Sequence, residues 1–220
     1  MTRLVIVTAG VLSSLALAQP KVADEKKAVS FNEIERGFFL EARAGLWALI
    51  NPPIDSALLS SPHNGATAFS AGQAAEFGLG FDIGDWVSVA LSITGTSNRM
   101  SSTYLAYSGG IASGDLSAFI PGAGVKVRLL GLADAQGVRR TWLYVKGAAG
   151  LIIYNPHSLF VDQTIDLLVS GGLGVEYFTK LRHFSVGLEA SFNAMLLTAG
   201  GGSLPFPMGF SLLPTLKYSF

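Results

Sequence analysis

A chain of 220 residues with 14% charged residues, a formal net charge of zero and a mean hydropathy of +0.45 lacks the polarity of a disordered polymer and the basic footprint of a nucleic-acid binder. Half of its residues are apolar and 26 are glycine, which is too greasy and too glycine-rich for an ordinary soluble enzyme. It has no cysteine, and that removes disulfide frameworks, thiol chemistry and an N-terminal lipid anchor from consideration.

The N-terminus reads as a cleaved secretory signal over residues 1–18. Arg3 supplies the positive start, Leu4 to Leu15 the apolar run and Ala16-Leu17-Ala18 the small-x-small cleavage site. Residues 19–36 carry dense mixed charge with little periodicity and are expected to form a polar periplasmic arm. No later run of eighteen apolar residues occurs, so the hydropathy is not that of a membrane helix.

From residue 37 onward the apolar residues fall on alternate positions, the period of a strand with one greasy face. The first strand runs from Phe38 to Ile50, with Phe38, Leu40, Leu46 and Ile50 against Glu41 and Arg43. Seven more follow at about 72–83, 86–95, 117–130, 141–153, 165–178, 184–196 and along the terminal stretch from residue 208. The connections "IGD", "GLADAQGVRR" and "TKLRH" are short, whereas 51–71, 96–116, 154–164 and 197–209 are mostly longer and rich in Gly, Ser and Pro. Eight such strands with alternating short turns and long loops predict an all-β, up-and-down antiparallel transmembrane barrel over residues 37–220, both termini periplasmic, in the Gram-negative outer membrane.

A soluble lipocalin-like barrel also alternates, but its polar face meets water and is rich in Lys, Glu, Gln and Asn. Here that face is mostly Gly, Ala and Ser, with Glu41, Glu76, Asp166, Glu176 and Glu189 set against Arg43, Lys126, Arg128, Lys146 and Lys217. Equal numbers of the two signs suit a closed interior, where an unpaired charge is expensive, and these ten residues are predicted to form an interior ion network. Aromatic residues near strand ends predict two interfacial girdles: Trp86, Trp142, Tyr177, Phe184, Tyr218 and Phe220 at one rim, and Trp47, Phe77, Tyr154, Phe192 and Phe210 at the other.

An eight-stranded barrel is filled by its own side chains, so an open pore is not expected. His183, Ser185 and Glu189 superficially match the His-x-Ser plus Glu set of outer-membrane lipid A deacylases, but their shared face is the interior at the short-turn end, away from the lipid. His63 and His157 fall in long loops, and no metal-ligand spacing or phosphate loop stands out; no cofactor is expected. The loop sequences "SSTYLAYSGGIASGDLS" and "SLFV" are unusually apolar for solvated tips and are expected to contact a partner, the lipid headgroups or each other.

The segments "NEIERGFFLEARAG", "NPP", "RTWLYVKGAAG", "GVEYFTKLRHFSVGLEA" and the ending "KYSF" resemble the contact-gliding protein E family (CglE) of myxobacteria, from the signal peptide to the terminal Phe. The resemblance implies an outer-membrane component of the adventurous gliding motility machinery, not an enzyme, working with other envelope proteins and in contact with outer-membrane lipid and lipopolysaccharide. The alternative is a small outer-membrane barrel of another class, an adhesin-like stabiliser or a lipid-acting enzyme of the deacylase kind. The last strand is expected to pair with the first so that no edge is left in lipid. Its Leu216, Tyr218 and Phe220 resemble the signal read by barrel-insertion machinery, and Pro214 is expected to weaken or bulge the seam.

Overall fold

The computed structural model describes residues 34–51, 69–99, 115–155, 165–197 and 206–220. Eight strands form one closed antiparallel barrel in sequence order: β1 (Phe38–Asn51), β2 (Gly72–Ile83), β3 (Val87–Arg99), β4 (Asp115–Ala133), β5 (Arg139–Asn155), β6 (Ile165–Phe178), β7 (Phe184–Met195) and β8 (Met208–Ser219). The signal segment, most of the arm, His63, His157 and the apolar loop tips lie outside the described residues.

Each strand is bonded to its neighbours, and β8 closes against β1 with Phe39 opposite Ser219 and Ala48 opposite Phe210. The amide of Phe220 donates to Phe38 O beyond the last ladder pair. Closure gives every strand a hydrogen-bonded neighbour on both sides, which is the condition for a sheet to cross hydrocarbon. The short turns at 84–86, 134–138 and 179–183 share one end with residue 38 and residue 219, here called the turn end; the opposite end is the loop end. Gly84 makes the first turn possible at φ +62°, a left-handed conformation that other residues adopt with strain.

Alternation sorts the side chains as the sequence pattern implies. The outward row is apolar, with Phe77 70% and Leu91 66% exposed, and Phe38, Leu40, Val125, Leu143, Leu173, Leu188 and Leu216 join them. The inward row holds nearly all the buried charge. A continuous greasy exterior around a charged core is the reverse of a soluble barrel and is suited to a hydrocarbon surround.

Two details depart from the sequence reading, and the weakened pairing at the seam agrees with it. β3, β4 and β5 are longer than the pattern indicated: β3 and β4 stay paired to Arg99 and Asp115 at the loop end, β4 runs past β3 beyond Val127 at the turn end, and β5 runs past its last pairs with β6 at both ends. A register shift between Arg128 and Leu130 breaks the alternation, so Leu129 and Leu130 both face outward. At the seam, pairing lapses where Ala44 and Gly45 pass Leu213 and Pro214, but the register on either side is unchanged; the shift lies further on, between Leu49 and Asn51. A Cβ on Gly45 would collide with Leu212 O and fall 3.1 Å from Pro214 Cδ, so glycine is what lets the two backbones approach beside the proline.

Candidate functional site in the barrel interior

The interior has two layers. Towards the turn end, long charged side chains cross a lumen lined by inward glycines, where a Cβ at Gly174 would lie 2.3 Å from Tyr144 Cζ. The absent side chains at Gly174, Gly78 and Gly80 leave the room that Tyr144, Glu41 and Phe39 occupy.

Arg43, fully enclosed, donates to Glu41 (2.8 Å) and Glu189 (3.1 Å) and lies 3.2 Å from Glu76. Lys146 reaches Glu189 (3.2 Å) and Glu76 (3.6 Å), while the Tyr144 and Thr94 hydroxyls donate to Glu189 and Glu76. Glu76 Oε1 sits within ion-pair range of both cations but is aligned for a hydrogen bond with neither. Nearer the turns, Arg128 bonds Glu176 through Nε (3.0 Å) and Nη2 (2.9 Å) and reaches Asp82 at 3.1 Å. Lys217 meets Asp82 at 2.7 Å and Glu176 at 3.6 Å, and the Ser88 and Ser185 hydroxyls complete the two carboxylates. Lys126 bridges the groups, 3.8 Å from Glu41 and 4.0 Å from Glu176, with its ammonium over the Tyr144 ring.

This layer therefore sets Glu41, Glu76, Asp82, Glu176 and Glu189 against Arg43, Lys126, Arg128, Lys146 and Lys217, five anions and five cations. Asp82 is the member that the sequence reading missed. It shares the inward parity of Glu76, and that parity was the available signal, but it stands two residues before the Gly84 turn, where a polar residue attracts no notice. Asp166 stands apart from this group, buried at the loop end, where it accepts the amides of Leu167 and Leu197.

Below the ions, Arg36 lies over Trp142 and Phe178 and pairs with Asp85 at 2.8 Å, reaching under the lumen from the start of β1. Burial lowers the pKa of its guanidinium, as does Arg128 nearby, against the opposing pull of Asp85 and Asp82. Above the ions, an apolar layer of Trp47, Leu49, Phe69, Leu116, Ile120, Ile152, Tyr154, Leu168, Met195 and Leu213 fills the loop end. Trp47, Trp142 and Tyr154, expected in the girdles, are thus interior residues; parity, not aromatic type, decides their side of the wall. Between the layers lies a cavity of about 50 Å³, bordered by Glu76, Lys146 and Glu189 and by Trp47, Ile120 and Leu213, with room for a few waters.

The histidine, serine and glutamate expected to share a face are not joined. Ser185 donates to Glu176, Glu189 is held by Arg43, Lys146 and Tyr144, and His183 Nδ1 faces Ser219 O (2.9 Å) and Glu35 (2.5 Å). Leu216, Tyr218 and Phe220 lie on the outward row, with Tyr218 edge-on to Phe184 and Phe220.

With a closed ring of eight strands, an apolar wall and a charged lumen described, solved structures supply the decisive comparison. Neisserial surface protein A matches over 84% of this chain and 97% of its own, at 13% identity and a TM-score of 0.58. The fold is that of a small bacterial outer-membrane barrel. OprG from Pseudomonas aeruginosa covers 86% of this barrel chain at 11% identity with a TM-score of 0.44, and the outer membrane enzyme PagL covers 83% at 9% identity with a TM-score of 0.41. Likeness at that distance says nothing of activity. No family model and no curated protein sequence matches the chain, so the resemblance to the contact-gliding family rests on the segments quoted above alone.

Proposed function

We propose that the chain is exported to the Gram-negative outer membrane and spans it as a closed structural and interaction barrel, with both termini in the periplasm and the long loops turned outward to other envelope proteins and lipopolysaccharide. The observation that carries this reading is the doubly filled lumen. An ionic layer of five matched charges of each sign lies under an apolar layer, which favours work done at the surfaces over passage through the middle. The outward Leu216, Tyr218 and Phe220 suit recognition by barrel-insertion machinery. The gliding machinery is the process in which the barrel acts, on the strength of the family resemblance.

The test is a clean gene deletion in a gliding host. Single-cell gliding is expected to be lost or impaired with membrane permeability unchanged, and the purified barrel is expected to give no conductance steps in a planar bilayer. Stable steps would overturn the sealed lumen. Normal gliding would move the chain to the alternative class, within which altered lipid A on overexpression marks the lipid-acting enzyme and unchanged lipid A the adhesin-like stabiliser.

A further inference from the structure

The wall does not end the same way all around its turn-end rim. On β5 the outward apolar row of Leu143 runs out onto Arg139, and the turn that joins β6 to β7 just beyond Tyr177 and Phe184 carries the exposed cations Lys180 and Arg182. Leu181, at the tip between two of these cations, is 65% exposed. On β8, β1, β2 and β3 the rows end at Phe220, Phe38, Ile83 and Trp86 with no cation, because Arg36 is turned under the lumen. The basic arc is continuous, since Thr141 pairs with Tyr177 and Arg140 Nη1 donates to Thr179 O at 2.9 Å, tying the 134–138 turn to the 179–183 turn.

Among the described residues, the acidic side chains at this rim are already engaged. Asp134 is held by Arg140, Asp85 by Arg36, and Glu35 by Arg182 and His183. Arg139 and Lys180 are exposed and meet no carboxylate among the described residues. Among the described side chains, Arg36, Arg139, Arg140, Lys180 and Arg182 against Glu35, Asp85 and Asp134 leave a surplus of two positive charges, five less three.

We propose that this arc binds the anionic headgroups of phospholipids, with acyl chains lying along the apolar rows of β5 to β7 and phosphates meeting Arg139 and Lys180. The inference rests on the barrel spanning the membrane with its turn end in the periplasmic leaflet. A cation that terminates a lipid-facing row stands at headgroup depth, where Tyr177 and Phe184 also mark the interface. A free anion would use the charge without the rows beneath it; a phospholipid uses both.

The full chain is folded into nanodiscs of equimolar phosphatidylcholine and phosphatidylglycerol, and the lipids it retains are counted by native mass spectrometry. The wild type is expected to enrich phosphatidylglycerol. The double variant R139Q/K180Q is expected to lose about tenfold of that preference, and R139K/K180R to keep it. Equal retention of both lipids by the wild type, an undiminished preference in R139Q/K180Q, or displacement of the lipid by inorganic phosphate would each overturn the proposal. A heat-dependent gel shift separates the two readings. A folded, shifting barrel without lipid preference sinks this inference alone, whereas a chain that stays soluble and does not shift sinks the membrane barrel and this proposal with it.

Discussion

The two halves of the lumen solve one packing problem with opposite chemistries. The loop-end half is filled mainly by Trp47, Ile152, Met195 and Leu213, which cohere by shape and volume, while the buried Asp166 and Asn98 bond to backbone groups. The turn-end half is filled by Arg43, Arg128, Lys217 and their carboxylates, each charge tolerable only because several partners surround it. Glycine is distributed to match: Gly78, Gly80 and Gly174 face inward beside the long charged and aromatic side chains, and their missing Cβ atoms are the space those side chains use. Large aliphatic residues fill a narrow tube by bulk, and long polar ones fill it by reaching across an emptied wall.

That contrast predicts unequal penalties. Glu176→Ala removes the carboxylate shared by Arg128 and Lys217 and leaves two buried cations to Asp82 alone, so the barrel should lose about 3–5 kcal/mol in urea unfolding from vesicles. A loss below about 1 kcal/mol would mean that water reaches the layer and the ions are solvated after all. Ile152→Ala leaves a void in the apolar layer and should lose about 2–3 kcal/mol in the same assay, with no dependence on salt. Gly174→Ala sharpens the role of the glycines. The added methyl would meet the Tyr144 ring, whose hydroxyl is tied to Glu189, and about 1–2 kcal/mol should be lost, recovered in part by a second change of Tyr144→Leu. No loss on Gly174→Ala would show that the ring shifts freely and the lumen is looser than its geometry.

The inside and outside of the wall were legible from alternate residues, because the two-residue repeat belongs to the strand itself and the two faces differ in kind. What misled was residue type where it conflicted with parity. Trp47 shares the odd positions of Glu41 and Arg43, and Tyr154 the even positions of Tyr144 and Lys146, yet each looks like a girdle residue by its chemistry. The bulge between Arg128 and Leu130 has no glycine or proline at the bulged positions themselves; it arises where β4 outruns β3 and pairs only with β5. The pairing of particular charges was illegible for a different reason. Arg43 meets Glu189 and Lys217 meets Asp82 across the lumen, over sequence separations of 146 and 135 residues, and alternation along single strands carries no information about what faces what across a closed tube.

The smallest effect belongs to the rim, outside both layers. The Asp134 carboxylate accepts the amides of Gln136 (2.9 Å) and Val138 (3.0 Å) and Arg140 Nε (2.7 Å), closing the β4–β5 turn around Gly137. Slight loss of water raises its pKa, but the Val138 amide, Arg140 and the Gln136 amide pull the other way and hold it below the ordinary 3.8. Because the folded value is the lower one, the stabilisation is fully present above about pH 4 and is lost only as pH falls through the depressed value. Protection of the Gln136 and Val138 amides against hydrogen exchange should therefore stay level down to about pH 4 and fall below it, while amides of the ladder pairs between β4 and β5 hold. Asp134→Asn should flatten that profile. A wild-type profile already flat to about pH 2 would show that the turn is held by its backbone and by Gly137 without the carboxylate.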